Sequence, residues 1–216
     1  RQRQMCIRDR YRYGNQPHIG AWNVARLLEC MAPLMDDVGR LQSVLDHCME
    51  FAMNAQSETW AEKLGLGVLQ ESDEQLVNDL LSLLGATEVD MTMFFRGLCS
   101  VEKPDIAQVS DAFYEGEAPD ETAWNAWMMR WWERVDGQPD RATMRAANPK
   151  YVLRNWMAQL AIDAAEQNND FTLAEELHEL LKRPYDEQPE HEEKWFQKRP
   201  EWARHRVGCS MLSCSS

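Results

Sequence analysis

Residues 124–132 read WNAWMMRWW, and three of the four tryptophans, Trp124, Trp127 and Trp131, stand at i, i+3 and i+7. That interval puts their rings on one face of an α-helix, because 3.6 residues complete a turn. An indole stripe can serve as a platform for a ligand. At helical spacing it more often fills a core, and these rings, with Trp132 beside them, are read as packing.

Working outward, the same period recurs along most of the chain. Ile19, Trp22, Val24, Ala25, Leu27 and Leu28 form an amphipathic helix stopped by Pro33, which lacks the amide proton a helix interior needs. A long helix is predicted from about Asp37 to Leu64, through Leu41, Leu45, Met49, Phe51 and Trp60, with Gly65 and Gly67 as its C-terminal signal. Ser72 and Gln75 have the spacing of a capping box for a helix through Leu84, closed by Gly85. Asp90 caps a run holding Met93, Phe94, Phe95 and Leu98, and Asp105 opens another through Val109, Phe113 and Tyr114. Asn148-Pro149 makes a turn before a helix that continues to about Asn168. Asp170 or Thr172 caps a last helix ending before Pro184. Pro184, Pro189 and Pro200 then fall in a stretch that turns from acidic to basic at Lys194, which reads as an extended, weakly structured tail. No alternating, β-branched run of strand length occurs, so the fold class is all-α.

Composition bounds the function classes. With 216 residues, 44% hydrophobic and 27% charged, the chain can bury one sizeable core or two small ones, and a single domain is expected. A net charge of -13 argues against nucleic acid, whose binding depends on Lys and Arg displacing counterions. No stretch reaches the roughly 18 consecutive apolar residues a membrane span needs, and no secretory signal pattern is present. Six unpatterned cysteines suit a reducing, intracellular setting, where Cys30, Cys48 and Cys99 are expected inside helices as small hydrophobes. The first ten residues, RQRQMCIRDR, lack caps and apolar period and resemble a translated sequencing-adaptor remnant. They are set apart from the fold together with Cys6, and the native start is expected to be missing.

Self-contained catalytic equipment is scarce. Gly65-Leu66-Gly67 is a helix end rather than a phosphate loop, and His18, His47, His178, His191 and His205 have no partner at metal-site spacing. Asp36-Asp37 and the carboxylates from Glu187 to Glu193 are read as solvated structural charges. Arg154 and Asn155, one turn after Asn148-Pro149, can clamp a loop carbonyl or a carboxylate, or simply tie helix to loop. In the tail, Arg204, His205 and Arg206 precede Cys209 and can lower its thiol pKa, while Ser and Gly spacers leave Cys214 accessible. Cys209 with Cys214, a partner elsewhere for either, and an inert tail are all open on this reading.

Three separated stretches carry a resemblance. Tyr13-Gly14-Asn15-Gln16-Pro17 leads into Ile19-Gly20-Ala21-Trp22-Asn23-Val24-Ala25-Arg26-Leu27. Asn148-Pro149-Lys150-Tyr151-Val152-Leu153-Arg154-Asn155 follows, and Cys214-Ser215-Ser216 closes the chain. Together they resemble the C-terminal part of the selenoprotein O family, in its cysteine-containing bacterial form. The resemblance implies a protein-kinase-like enzyme of the cytoplasm that binds ATP and Mg2+ and transfers AMP to Ser, Thr or Tyr hydroxyls of proteins. It places residues 11–184 in a helical C-lobe and its extension, residues 185–216 in a tail, and residues 1–10 outside the native protein. The nucleotide, metal and catalytic groups of the family lie upstream of the Asn-Gln-Pro motif, so none is expected in this chain. Cys214 corresponds to the family's selenocysteine or cysteine three residues from the end, a redox switch paired with a cysteine of the activation segment. The competing expectation is an independent acidic helical module, without catalysis, that binds a partner through its Trp-rich face.

Overall fold

The computed structural model describes residues 16–35, 37, 39–116, 119–206 and 209. Among them every regular element is helical, and an isolated antiparallel bridge between Val89 and Phe113 is the only β pairing. No helix among the described residues is long and apolar enough to cross a membrane. The chain divides into two compact units, the first holding the described residues up to Glu58 and the second those from Thr59 to Cys209.

The first unit holds α1 (Gln16–Met31), a 3-10 turn (Ala32–Leu34) and most of α2 (Gly39–Leu64). Pro33 sits within the 3-10 turn, where no helical amide is required of it, and α1 ends as the sequence predicts. Ala25 and Leu28 of α1 line an apolar groove with Leu41 and Leu45 of α2. Asp37 accepts the amide of Gly39 at 2.9 Å, a local cap, and Asp36 lies outside the described residues. Cys30 and Cys48 correct the expectation of interior thiols: both are exposed, because the packed side of each helix runs through the neighbouring leucines.

The second unit begins at Thr59, within the last turns of α2. Gly65 (φ +64°) and Gly67 (φ +74°) take left-handed conformations, and the Leu66 amide donates to the Ala61 carbonyl at 2.8 Å, so the C-cap reading holds. A Cβ on Gly65 would stand 2.9 Å from Met144 Sδ and 3.1 Å from the Asp140 amide nitrogen. Gly65→Ala therefore combines backbone strain with a clash and is expected to cost about 1–3 kcal/mol. A thermal melt checks this, and a parental melting temperature would contradict it.

α3 (Asp73–Ala86) corrects the capping-box reading. Ser72 is already in a right-handed helical conformation and its side chain makes no cap. Asp73 instead accepts the Gln70 amide at 2.8 Å and a two-pronged contact from Arg134 at 2.7 and 2.9 Å, while Gln75 turns to Asp79. Gly85 does not close the helix either. Thr87 does so by becoming extended, which leads the chain to the bridge at Val89.

α4 (Met91–Leu98) is capped as expected by Asp90, which accepts the Met93 amide at 3.0 Å. Asp105 opens a 3-10 segment (Ile106–Ala112) that kinks at Val109, and Phe113 leaves it for the β bridge rather than extending a helix. α5 (Glu121–Arg134) buries its tryptophan face against α3 and α4. Trp124, Trp127 and Trp131 are fully buried, and each indole N–H finds an acceptor: Thr87 Oγ1 at 3.3 Å, the Leu76 carbonyl at 2.9 Å and the Leu64 carbonyl at 2.9 Å. The Trp127 and Trp131 rings stack at 6.1 Å. Rings so enclosed present no docking face, which removes the surface on which the interaction-module expectation rested.

α6 (Arg141–Ala147) leads to the turn at Asn148-Pro149, and α7 (Asn155–Asn168) pairs with α8 (Thr172–Leu181) through a left-handed Asn169. Residues 185–206 correct the expectation of an extended tail. They form α9 (Pro189–Trp195) and α10 (Glu201–Arg204), and Trp195, Ala203 and Cys209 join Tyr151, Trp156, Met157, Leu177 and Leu180 in a second core. The prolines act as helix starts here: Pro189 is the first residue of α9 and Pro200 precedes α10. Trp195 anchors the segment by stacking on Trp156 at 5.9 Å and donating its N–H to Glu176 at 2.7 Å.

Candidate functional site

The loop ahead of α4 and the start of α7 meet around one carboxylate. Asp90, 7% exposed, both caps α4 and accepts the two-pronged guanidinium of Arg154, with Nη2 to Oδ1 at 2.9 Å and Nη1 on Oδ2. Of the two partners open to Arg154 from the sequence, the structure selects a carboxylate. The planar fork of arginine matches it, and loss of one member of such a buried pair strands the other. Tyr114 donates its hydroxyl to Asp90 at 3.5 Å and accepts the Arg199 amide at 3.1 Å. Burial pushes the Tyr114 hydroxyl above its usual pKa, which keeps it a donor. Glu88 takes Arg199 on one oxygen and Arg204 on the other, each at 2.7 Å.

These residues surround a cleft of about 350 Å³ that Thr92, Asn155, Trp156 and Cys209 also line. Arg154, Asn155 and Cys209, singled out separately in the sequence, therefore share one site. Cys209 is 7% exposed and belongs to the second core, so it is not a thiol free at the surface. Arg206 donates to Asp163 at 2.8 Å and remains within Coulombic reach of that thiol, as the sequence order implies.

Asn148 stands elsewhere, in a buried polar knot. Its amide donates to the Lys63 carbonyl at 2.9 Å and accepts the Lys63 ammonium at 2.8 Å, beside Cys99. Burial pushes the Lys63 pKa down and the Cys99 thiol up, so Cys99 stays protonated and structural. Arg96, 7% exposed, donates to the carbonyls of Arg145, Asn148 and Tyr185 at 2.9–3.1 Å and to Glu187. Lys150, 4% exposed, holds Glu187 at 2.9 Å and Glu192 at 2.7 Å. Glu187 and Glu192 stay solvent-exposed, as expected of solvated charges, and at the same time pair with buried cations. A cleft of about 370 Å³ opens beside them, lined also by Met93, Gln108 and Phe196.

The knot gives a pH dependence. The hydrogen bond from Lys150, with that from Arg96, outweighs burial and holds Glu187 below its ordinary 4.5. Burial opposes the Lys150 ammonium, but Glu192 and Glu187 outweigh it and raise Lys150 above 10.5. A depressed carboxylate stabilises the fold above its unfolded pKa and loses that contribution as pH falls through its folded value. A raised lysine contributes below its unfolded pKa and loses its share as pH rises through its folded value. Urea midpoints are expected to fall below about pH 4.5, and to fall less in Glu187→Gln. An equal acid loss in both proteins would contradict the assignment.

Among the remaining sequence expectations, Trp22 and Asn23 lie exposed on α1 in the first unit, and Pro17 falls in its first turn. Pro149 occupies the turn after Asn148 as expected. Asn15, Cys6 and Cys214 lie outside the described residues. Sequence reasoning missed Tyr114, Trp156, Arg199 and the pairing of Asp90 with Arg154. Asp90 carried a visible cap signal, but nothing in its neighbourhood names a partner 64 residues away.

Comparison with known proteins follows from these features. The family model described as "Protein adenylyltransferase SelO" matches residues 5–182. A relative from Flavobacterium johnsoniae, named "Protein nucleotidyltransferase YdiU", is 45% identical over 222 aligned positions, covering 96% of this chain and 42% of the relative. Relatives of the same name from Xanthomonas campestris pv. campestris (strain B100) and Aromatoleum aromaticum are 45% and 44% identical over 216 positions, each covering 96% of this chain and 41% of its own length. The chain thus spans about two fifths of the length of the curated relatives it matches.

Proposed function

The chain belongs to the protein adenylyltransferase SelO family of nucleotidyltransferases, and from that we propose that it is the C-terminal helical part of an enzyme that transfers AMP from ATP to Ser, Thr or Tyr hydroxyls of proteins. The match over residues 5–182, joined to 45% identity across 96% of the chain, carries this reading. In the reaction a hydroxyl oxygen bonds to the α-phosphorus, the bond to the β-phosphate breaks, and pyrophosphate leaves. The helices of both units are the C-lobe and extension of a kinase-like fold in this reading. Their tasks are to carry and brace the catalytic half and to offer surface to protein substrates.

ATP and Mg2+ belong to the longer protein. In this reading no residue of this chain is assigned to hold them. Redox control is assigned to Cys214, paired with a cysteine of the activation segment. The burial of Cys209 in the second core supports Cys214 as the reactive thiol of the terminus.

The experiment uses the full-length parent with Mg2+, an acceptor protein and ATP labelled on either the α- or the γ-phosphate. The α-label is expected on the acceptor's hydroxyl residues and the γ-label in released pyrophosphate. Transfer of the γ-label to protein would overturn AMP transfer in favour of phosphorylation. Cys214→Ser is expected to abolish any dependence on reductant, and an unchanged dependence would remove Cys214 from the switch.

A further inference from the structure

Buried polar side-chain atoms in folded proteins almost always meet a partner, so each exception asks for a reason. Among the described residues two such atoms have none, Trp156 Nε1 and Arg199 Nε. Both residues line the same cleft of about 350 Å³ at the start of α7. Two orphans at unrelated places would read as local imperfections. Two on one cleft read as a shared missing acceptor.

The surrounding groups sharpen the chemistry. The residue before α7, Arg154, makes no side-chain cap, because its guanidinium is committed to Asp90. The Met157 and Ala158 amides reach the Arg154 carbonyl, whereas no described acceptor meets the amides of Asn155 or Trp156. The helix start therefore adds unpaired N–H groups and the positive end of a 14-residue dipole to the two orphaned side-chain donors. The two carboxylates of the cleft are engaged: Asp90 holds Arg154, the Met93 amide and the Tyr114 hydroxyl, and Glu88 holds Arg199 Nη2 and Arg204. Tyr114 Oη already receives the Arg199 amide. A cation or amine would bring further donors to donors. An oxyanion supplies several lone pairs and the charge that a helix N-terminus favours.

We propose that this cleft is a binding site for a small oxyanion, a carboxylate or phosphoryl group, held by Trp156 Nε1–H, Arg199 Nε–H and the free amides that begin α7. The site is independent of the AMP-transfer reading, since its ligand chemistry follows from these donors alone. An anionic occupant would make hydrogen bonds of the stronger, charge-assisted kind.

The test uses the full 216-residue chain with its nine tryptophans 15N-labelled and observes the indole N–H resonances. Trp156→Phe assigns the relevant signal. Inorganic phosphate and acetate are titrated separately, with ionic strength held constant by sodium chloride. The Trp156 indole signal is expected to move downfield and saturate with at least one of them. The stronger binder identifies the ligand as phosphoryl or carboxylate. Arg199→Lys keeps the charge but loses the Nε donor, and is expected to weaken binding about tenfold, the size of one charge-assisted hydrogen bond. Calorimetry on the same proteins gives a second measure should Trp156→Phe disturb the fold. A shift that never saturates, that chloride alone reproduces, or that survives unweakened in Arg199→Lys overturns the proposal and leaves the donors to buried water.

Discussion

Trp131→Ala is expected to cost about 4 kcal/mol, within the range for removing a large aromatic side chain from a core. Three losses combine at this position. The ring is fully buried, it stacks on Trp127 at 6.1 Å, and its N–H satisfies the Leu64 carbonyl at the end of α2. Removing it opens a cavity, ends the stacking and leaves a buried carbonyl without its donor. Domain stabilities run to roughly 5–15 kcal/mol, so this one change removes a large share. The melting temperature is expected to fall by about 10 °C, and Trp131→Phe, which refills much of the volume but not the hydrogen bond, by less than half of that. Circular dichroism melts of the three proteins check the order. Equal losses in Ala and Phe would place the effect in the hydrogen bond alone, and a loss of under about 2 °C in Ala would contradict the packing account.

Arg96→Met is expected to cost about 3–4 kcal/mol, although it preserves most of the side chain's apolar length. Arg96 is nearly buried, and its guanidinium alone joins the carbonyls of Arg145, Asn148 and Tyr185 to Glu187. Methionine fills the space and satisfies none of these acceptors. Some relief comes from the adjoining cleft of about 370 Å³, through which water can reach them, so the expected loss stays below the sum of separate bonds. Arg96→Lys should fall between the two proteins, because one ammonium cannot reproduce a planar fork of donors. The urea midpoint reports the total. Hydrogen exchange at the amides of Lys150 and Tyr151, both bonded to the Pro184 carbonyl, reports whether the strand of chain after Asn148 loosens. Unchanged protection there would show that Arg96 does not hold that crossing together.

The class of the fold was readable because helical period is a local property. The i, i+3, i+7 tryptophans, the cap at Asp90 and the left-handed glycines after Leu64 each act within a turn or two, and each stands where its residues imply. The misses share another cause. The spacing of Ser72 to Gln75 fits a cap, yet Arg134, 61 residues on, engages Asp73, and Ser72 is itself helical and makes no cap. The prolines after Leu181 suggest an extended tail, but two of them sit at helix starts, and Trp195 supplies the anchor that composition alone underrates. The apolar neighbours of Cys30 and Cys48 suggest interior thiols, but the side of the helix, not the neighbourhood, decides exposure.

The candidate site divides the same way. Arg154, Asn155 and Cys209 are legible as residues whose chemistry stands out in its context. Helix, cap and family motif are written in short-range order, because a turn of helix or a tight loop is settled by residues within a few positions of one another. Which carboxylate Arg154 grips, that Cys209 is buried beside it, and that Trp156 and Arg199 line a common cleft, each with one ring or guanidinium nitrogen left without an acceptor, depend on pairs 64 and 85 positions apart in the chain. Such pairings are chosen by burial, where an unmatched charge or donor is expensive, and burial exists only once the helices have packed.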